Sequence, residues 1–161
     1  MILTGSEIRK QRALNTIQIS PFCEKQVNPN SYNYRLGPTL KVFDEKASEF
    51  FIIEIPEEGY ILEPHKMYLG HTMEVLGSDI YAMRLIGRSS LGRYGLFLQV
   101  SADLGHTTSC HQWTLELVAT QPIRLYSNMI IGQISFWNNF GDISCFGKTF
   151  ANFNTPTEGY R

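Results

Sequence analysis

Short apolar and β-branched runs recur along this chain, and each is stopped by Gly, Pro, Asn or Asp before it grows long. That punctuation constrains the fold most, because short strands have to be assembled into sheets around a common core. Residues 16–19 alternate and stop at Pro21, Asn28-Pro29-Asn30-Ser31 is turn-forming, and residues 32–36 resume strand composition. Runs at 40–43 and 50–55 follow, closed by Pro56-Glu57-Glu58-Gly59. Runs at 60–62 and 68–76 flank Glu63-Pro64-His65-Lys66, which reads as a hairpin turn. Residues 81–86, 96–102, 113–119, 122–126 and 129–137 complete the set. Only residues 5–14 have helix composition, with Ile8 and Leu14 as inward anchors. The pattern predicts a mainly β sandwich or barrel with one short N-terminal helix.

A chain of 161 residues suits a single domain spanning 1–161, with a C-terminal tail from about residue 147. A net charge of −1 gives no basic footprint for nucleic acid. No apolar stretch nears the ~20 residues of a membrane span, and Ile8-Arg9-Lys10-Gln11-Arg12 interrupts any secretory signal. Cys23, Cys110 and Cys145 are odd in number and lack paired metal-ligand spacing, as reduced thiols of a cytoplasmic protein would. The expectation is a soluble, cytoplasmic protein without nucleic-acid or membrane partners.

Two places carry chemistry. Gly87-Arg88-Ser89-Ser90-Leu91-Gly92-Arg93-Tyr94-Gly95-Leu96 joins two strand-like runs. Ser89 or Ser90 suits an N-cap, the following turn would aim backbone N–H groups at an anion, and Arg88 and Arg93 supply forked donors for phosphate. A capped glycine-rich turn with two solvated arginines fits the same residues. The second place is Glu116, inside the apolar run Trp113-Thr114-Leu115-Glu116-Leu117-Val118-Ala119. Alternation puts Thr114, Glu116 and Val118 on one face, so Glu116 is either a solvated outward carboxylate or a working acid–base group.

Gly87-Arg88-Ser89-Ser90-Leu91-Gly92-Arg93 resembles the signature of the dCTP deaminase family, the deaminating branch of the trimeric dUTPase-like fold. Met1-Ile2-Leu3-Thr4, Ser31-Tyr32-Asn33-Tyr34-Arg35-Leu36-Gly37, Thr114-Leu115-Glu116-Leu117 and Ile131-Gly132-Gln133-Ile134-Ser135-Phe136 extend the resemblance from residue 1 to about 136. It implies a distorted jelly roll or β-barrel of the dUTPase-like type, assembled as a homotrimer with active sites shared between subunits. The implied activity is metal-independent hydrolytic deamination of a cytosine nucleotide, dCTP by default. Glu116 would act as general base and acid on the water attacking C4, with Ser89 and Arg93 as the other catalytic groups. Arg88, Ser90, Gln99, Ala102, His106, Gln133 and Lys148 would bind substrate, Ala102 through its backbone at the base edge. No cofactor is implied for deamination, and Mg2+ enters only as a companion of the substrate phosphates.

A zinc deaminase would need His/Cys-x-Glu with Pro-Cys-x-x-Cys, and the chain has neither. His106, Cys110 and His111 cluster, but a single metal there would want a fourth ligand, so surface-loop histidines are the expectation. Ten residues before the glutamate, where the family usually carries the aspartate that contacts the deoxyribose 3′-hydroxyl, this chain has His106. In dUTPases the matching aspartate activates the hydrolytic water. Asp103 would serve only after a three-residue slip, which Gln99-Val100-Ser101-Ala102, aligning without a gap, argues against. Asn33 stands where the family usually has Asp, a change expected to concern folding. The tail matches only loosely, with Lys148 left as a phosphate contact. Deamination therefore ranks first. A nucleotide hydrolase of dUTPase type and a non-catalytic nucleotide-binding or regulatory protein are the alternatives. Ribose against deoxyribose, the number of phosphates and a modified base stay open.

Overall fold

A computed structural model describes residues 1–99, 101–145 and 154–159. Helix α1 (Gly5–Ala13) starts at Thr4, whose Oγ1 accepts from the Glu7 N–H at 3.4 Å, and it carries Glu7 in its first turn and Lys10 and Arg12 in its last. Ile8 is fully buried. Leu14, expected to face inward, is 60% exposed, because it is the C-cap, where the helical direction has ended.

The strands follow in chain order: β1 (Ile17–Ser20), β2 (Tyr32–Arg35), β3 (Thr39–Asp44), β4 (Glu49–Glu54), β5 (Tyr60–Leu62), β6 (Met67–His71), β7 (Val75–Ser78) and β8 (Tyr81–Gly87). A five-residue helix, α2 (Ser89–Arg93), then separates β8 from β9 (Leu96–Leu98). The chain continues through β10 (Leu104–Gly105), β11 (Cys110–His111), β12 (Thr114–Ala119), β13 (Ile123–Leu125) and β14 (Ile130–Asn138). All named pairings are antiparallel, in sheets ordered β1-β7-β11, β10-β8-β14-β2, β4-β3-β6-β12-β9 and β13-β5. The two larger sheets share one buried cluster. Tyr32, Tyr34, Met83, Leu85, Ile134 and Phe136 come from one, and Leu40, Tyr68, Leu115, Leu117, Leu96 and Leu98 from the other. The mainly β class with a short N-terminal helix is as the sequence pattern requires. Among the described residues no helix is long and apolar enough to cross a membrane.

Three local expectations are corrected. The run at 68–76 is two strands, because Thr72 and Glu74 are buried between β6 and β7 and the Thr72 hydroxyl closes a tight turn onto the Glu74 carbonyl at 2.7 Å. Glu63-Pro64-His65-Lys66 is not a hairpin turn, since β5 pairs with β13 while β6 pairs with β3 and β12. The run at 96–102 ends as a strand at Leu98, where Gln99 takes a positive φ of 52°.

A buried polar chain fixes the frame beneath α2. Glu74, with no exposed surface, accepts from the Arg35 Nε at 2.6 Å and the Arg35 N–H at 2.9 Å. Gln26 Nε2 bridges Glu74 and the Asn33 carbonyl, and Asn28 Nδ2 reaches Asn33 Oδ1 at 2.9 Å and Ser31 Oγ at 3.2 Å. Ser31 Oγ donates to Gln133 Oε1 at 2.7 Å, and Gln133 Nε2 points at the Gly87 carbonyl at 3.5 Å. Asn33 thus serves the fold, as expected, through its side-chain acceptor.

Candidate active site

Register builds the site. In the five-stranded sheet Glu116 pairs with Leu69, and Leu69 with Lys41, so these three point to one face. The pattern along β12 alternates between half-buried and buried, with Thr114, Glu116 and Val118 half-buried over Leu115, Leu117 and Ala119 in the core. Glu116, half-buried, therefore lines a cleft of about 1050 Å³. Its lining takes Phe43, Phe50, Met67 and Leu69 from β3, β4 and β6, Gln99, Ala102, Leu104 and His106 from the stretch after β9, and Ser109, His111, Trp113 and Thr114 from β11, β12 and the residues around them. Thr157, Glu158 and Gly159 cross it from the C-terminal side.

The bend after β9 brings that stretch to the carboxylate. Gln99 Oε1 accepts from the Glu116 N–H at 2.7 Å, its Nε2 donates to the Ala102 carbonyl at 3.3 Å, and the Gln99 N–H donates to the Glu116 carbonyl at 3.2 Å. One side chain thus ties the Glu116 strand to the Ala102 segment. The Ala102 carbonyl keeps a second lone pair for another donor. Ser101 Oγ lies 3.5 Å from Glu116 Oε2. Four of the site residues expected from sequence, Gln99, Ala102, His106 and Glu116, meet in this cleft.

Of the residues that line the cleft here, Ser109 and His111 lie outside the strand-like runs of the sequence, whereas Trp113 and Thr114 begin one. His111 is buried on β11 with Nδ1 2.8 Å from the Gln112 carbonyl, so it is not the surface-loop histidine expected. Its ring lies 4.2 Å from that of Trp113, whose Nε1 donates to the Leu76 carbonyl at 2.8 Å. The two-residue strands β10 and β11 are too short to leave a periodic signal in sequence. Among the described residues no group of three metal-ligating side chains forms, His106, Cys110 and His111 included. Asp103, the displaced candidate for the family aspartate, is outside the cleft lining and bound to Arg84, whose Nε donates to Oδ2 at 2.9 Å.

The signature residues lie apart from the cleft lining. Arg88 is the N-cap of α2 without a side-chain capping bond, so neither Ser89 nor Ser90 caps it, which corrects that expectation. Both serines are in the helix and exposed, as is Arg93, while Arg88 is half-buried. Among the described residues neither guanidinium is in an ion pair. Gly95, at φ 93°, turns the chain back into β9, and its carbonyl accepts from the Thr120 N–H at 2.9 Å. Gln133 supports Gly87 from below as described, and Lys148 lies outside the described residues. Among the described residues the charges are segregated: the cleft lining holds Glu49, Glu116 and Glu158 but no Lys or Arg, whereas Arg88 and Arg93 stand at the two ends of α2.

Comparison with known proteins places this architecture. A solved deaminase of 2′-deoxycytidine 5′-triphosphate from Agrobacterium tumefaciens superposes with a TM-score of 0.71 at 22% identity, over 86% of this chain and 48% of that one. It shows the same fold, of which this chain spans about half the length. Three curated relatives named "dCTP deaminase, dUMP-forming" are closer in sequence. That of Clostridium acetobutylicum is 44% identical over 148 residues (88% of this chain, 85% of the relative). That of Hathewaya histolytica is 45% identical over 164 (98% and 95%), and that of Leptospira biflexa 43% over 160 (94% and 91%). The family profile described as dCTP deaminase-like matches residues 2–139, nearly the whole described fold. The chain belongs to the dCTP deaminase-like family.

Proposed function

We propose that this protein hydrolytically deaminates dCTP, with Glu116 as the group that moves the protons. The observation that carries the reading is the placement of Glu116 in the lining of the cleft, its strand tied by Gln99 to the Ala102 segment. A cytosine laid against Ala102 offers donors and acceptors on its edge to that backbone and brings C4 toward the carboxylate. Glu116 takes a proton as water adds to C4 and delivers it to N3; it then takes the second proton from the new C4 hydroxyl and delivers it to the amine, so that the C4–N bond breaks and ammonia leaves as the C4 carbonyl forms. The step needs no electron-pair acceptor beyond the ring itself, and we assign no metal to it; Mg2+ would accompany the phosphates only.

Among the described residues no Lys or Arg lines the cleft openly, so the triphosphate calls for further cations. Arg88, Ser89, Ser90 and Arg93 carry that capacity on α2. We therefore read the complete site as composite, with α2 of a second copy brought to the cleft of the first in a homotrimer. Ser89 and Arg93 then stand at the water and the developing charge, while Arg88 and Ser90 stand at the phosphates, with Gln133 beneath the loop.

A second reading adds a phosphoanhydride cleavage, because the curated relatives are named for dUMP as product. Reaching dUMP from dCTP consumes two waters and releases ammonia and pyrophosphate. His106, in the cleft lining in place of a carboxylate, weighs against that second step. Product masses from dCTP, dCMP, CTP, CMP and cytidine decide: dUTP with ammonia supports deamination alone, and dUMP with pyrophosphate and ammonia supports both. Cleavage without ammonia overturns the proposal.

A further inference from the structure

Lys41, Leu69 and Glu116 form one row across β3, β6 and β12 on the cleft face, so Lys41 and Glu116 are two strand spacings apart, about 10 Å at ~4.8 Å per strand. The Lys41 side chain is only 16% exposed because Glu158 covers it, ammonium against carboxylate. Two further contacts among the described residues hold 154–159 along the cleft. Asn154 Oδ1 accepts from the Gln112 N–H at 3.1 Å, and the Thr157 N–H donates to Thr114 Oγ1 at 3.2 Å. Pro156 is buried between them. The Lys41 ammonium also holds the Glu158 carboxyl below its ordinary range. The row thus ends in a carboxylate at one side and a cation at the other, and the cation is covered by the chain's own acid.

Resting on the deaminase reading, we propose that Lys41 is a phosphate-binding residue of the cleft and that Glu158 is the counter-ion a nucleotide phosphate displaces. A nucleotide with its base at Glu116 extends through its sugar toward the far end of that row. A phosphate brings more charge and more acceptor oxygens to the ammonium than one carboxylate does. Moving Glu158 aside also removes one of the three carboxylates that would repel an anion in the cleft.

Calorimetry on the full chain tests this, with every variant built on Glu116→Gln so that substrate is not consumed. Lys41→Met weakens dCTP binding roughly tenfold and leaves deoxycytidine unchanged. Lys41→Gln does the same, since it keeps a donor but not the charge. Glu158→Gln tightens dCTP severalfold, and the double variant Lys41→Met/Glu158→Gln follows Lys41→Met because no cation is left to uncover. The assignment is overturned if Lys41→Met affects dCTP and deoxycytidine alike, or affects neither, or if Glu158→Gln weakens dCTP. Those results leave the deaminase reading standing when the wild type turns dCTP over. Failure of the wild type to turn over or bind any cytosine nucleotide overturns both.

Discussion

His71 shows how much a single residue fixes near the site. It is buried at the end of β6, with Thr39 Oγ1 3.1 Å from Nε2 and the Thr72 carbonyl 3.0 Å from Nδ1. Gly37 lies so close over the ring that an added Cβ would sit 2.2 Å from it. Burial holds the imidazole below its ordinary pKa, and the hydrogen bond with Thr72 opposes the shift. The unfolded chain, with an ordinary value near ~6.5, then binds this proton more readily than the folded one. Stability from neutral His71 is complete above that value and is lost as the pH falls below it toward the folded-state value. Urea titrations from pH 8 to 5 should show wild type losing stability more steeply than His71→Gln over this range; parallel curves would contradict it. At this scale the sequence was informative where period and chemistry agreed. Glu116 stood on a face with Thr114 and Val118, and Thr114 and Glu116 of that face line the cleft. It placed His111 wrongly in a surface loop and did not foresee the burial of His71, because a residue's burial at a strand end depends on which segments fold back over it.

At the scale of elements, the polar chain from Glu74 to Gly87 connects β2, the turn before β7 and β14 to the base of α2. A buried carboxylate paired with Arg35 is costly to break from one side. Glu74→Ala should destabilise by about 3–5 kcal/mol, measured by urea denaturation, because it leaves the Arg35 charge without its partner. Glu24→Ala, which removes the exposed partner of Arg9, should cost no more than about 1 kcal/mol. Equal losses would mean that the buried pair contributes no more than a surface one. Most strands were legible because their apolar periodicity survives single-sequence reading, as in β8, β12 and β14. The break between β6 and β7, the partner exchange of β5, and the short α2, β10 and β11 were not, since tertiary pairing and buried polar residues decide them.

For the whole molecule, the proposed composite site rests on one separation: among the described residues the cleft lining has no Lys or Arg, and Arg88 and Arg93 stand at the two ends of α2 instead. If sites are shared, Glu116→Gln and Arg93→Ala trimers are each inactive, and subunit exchange between them restores part of the activity by pairing an intact cleft with an intact α2. Mixtures that exchange subunits yet stay inactive would place both halves in one chain. The resemblance implied both halves and their sharing between subunits, whereas spacing along the chain carries no information on which copy supplies each. The most direct test of the account is ammonia release from dCTP by purified wild type and Glu116→Gln, with chelator present throughout. The account predicts stoichiometric ammonia with a uracil nucleotide from wild type and none from a folded Glu116→Gln protein. Ammonia release undiminished in Glu116→Gln, or none from wild type, would contradict it.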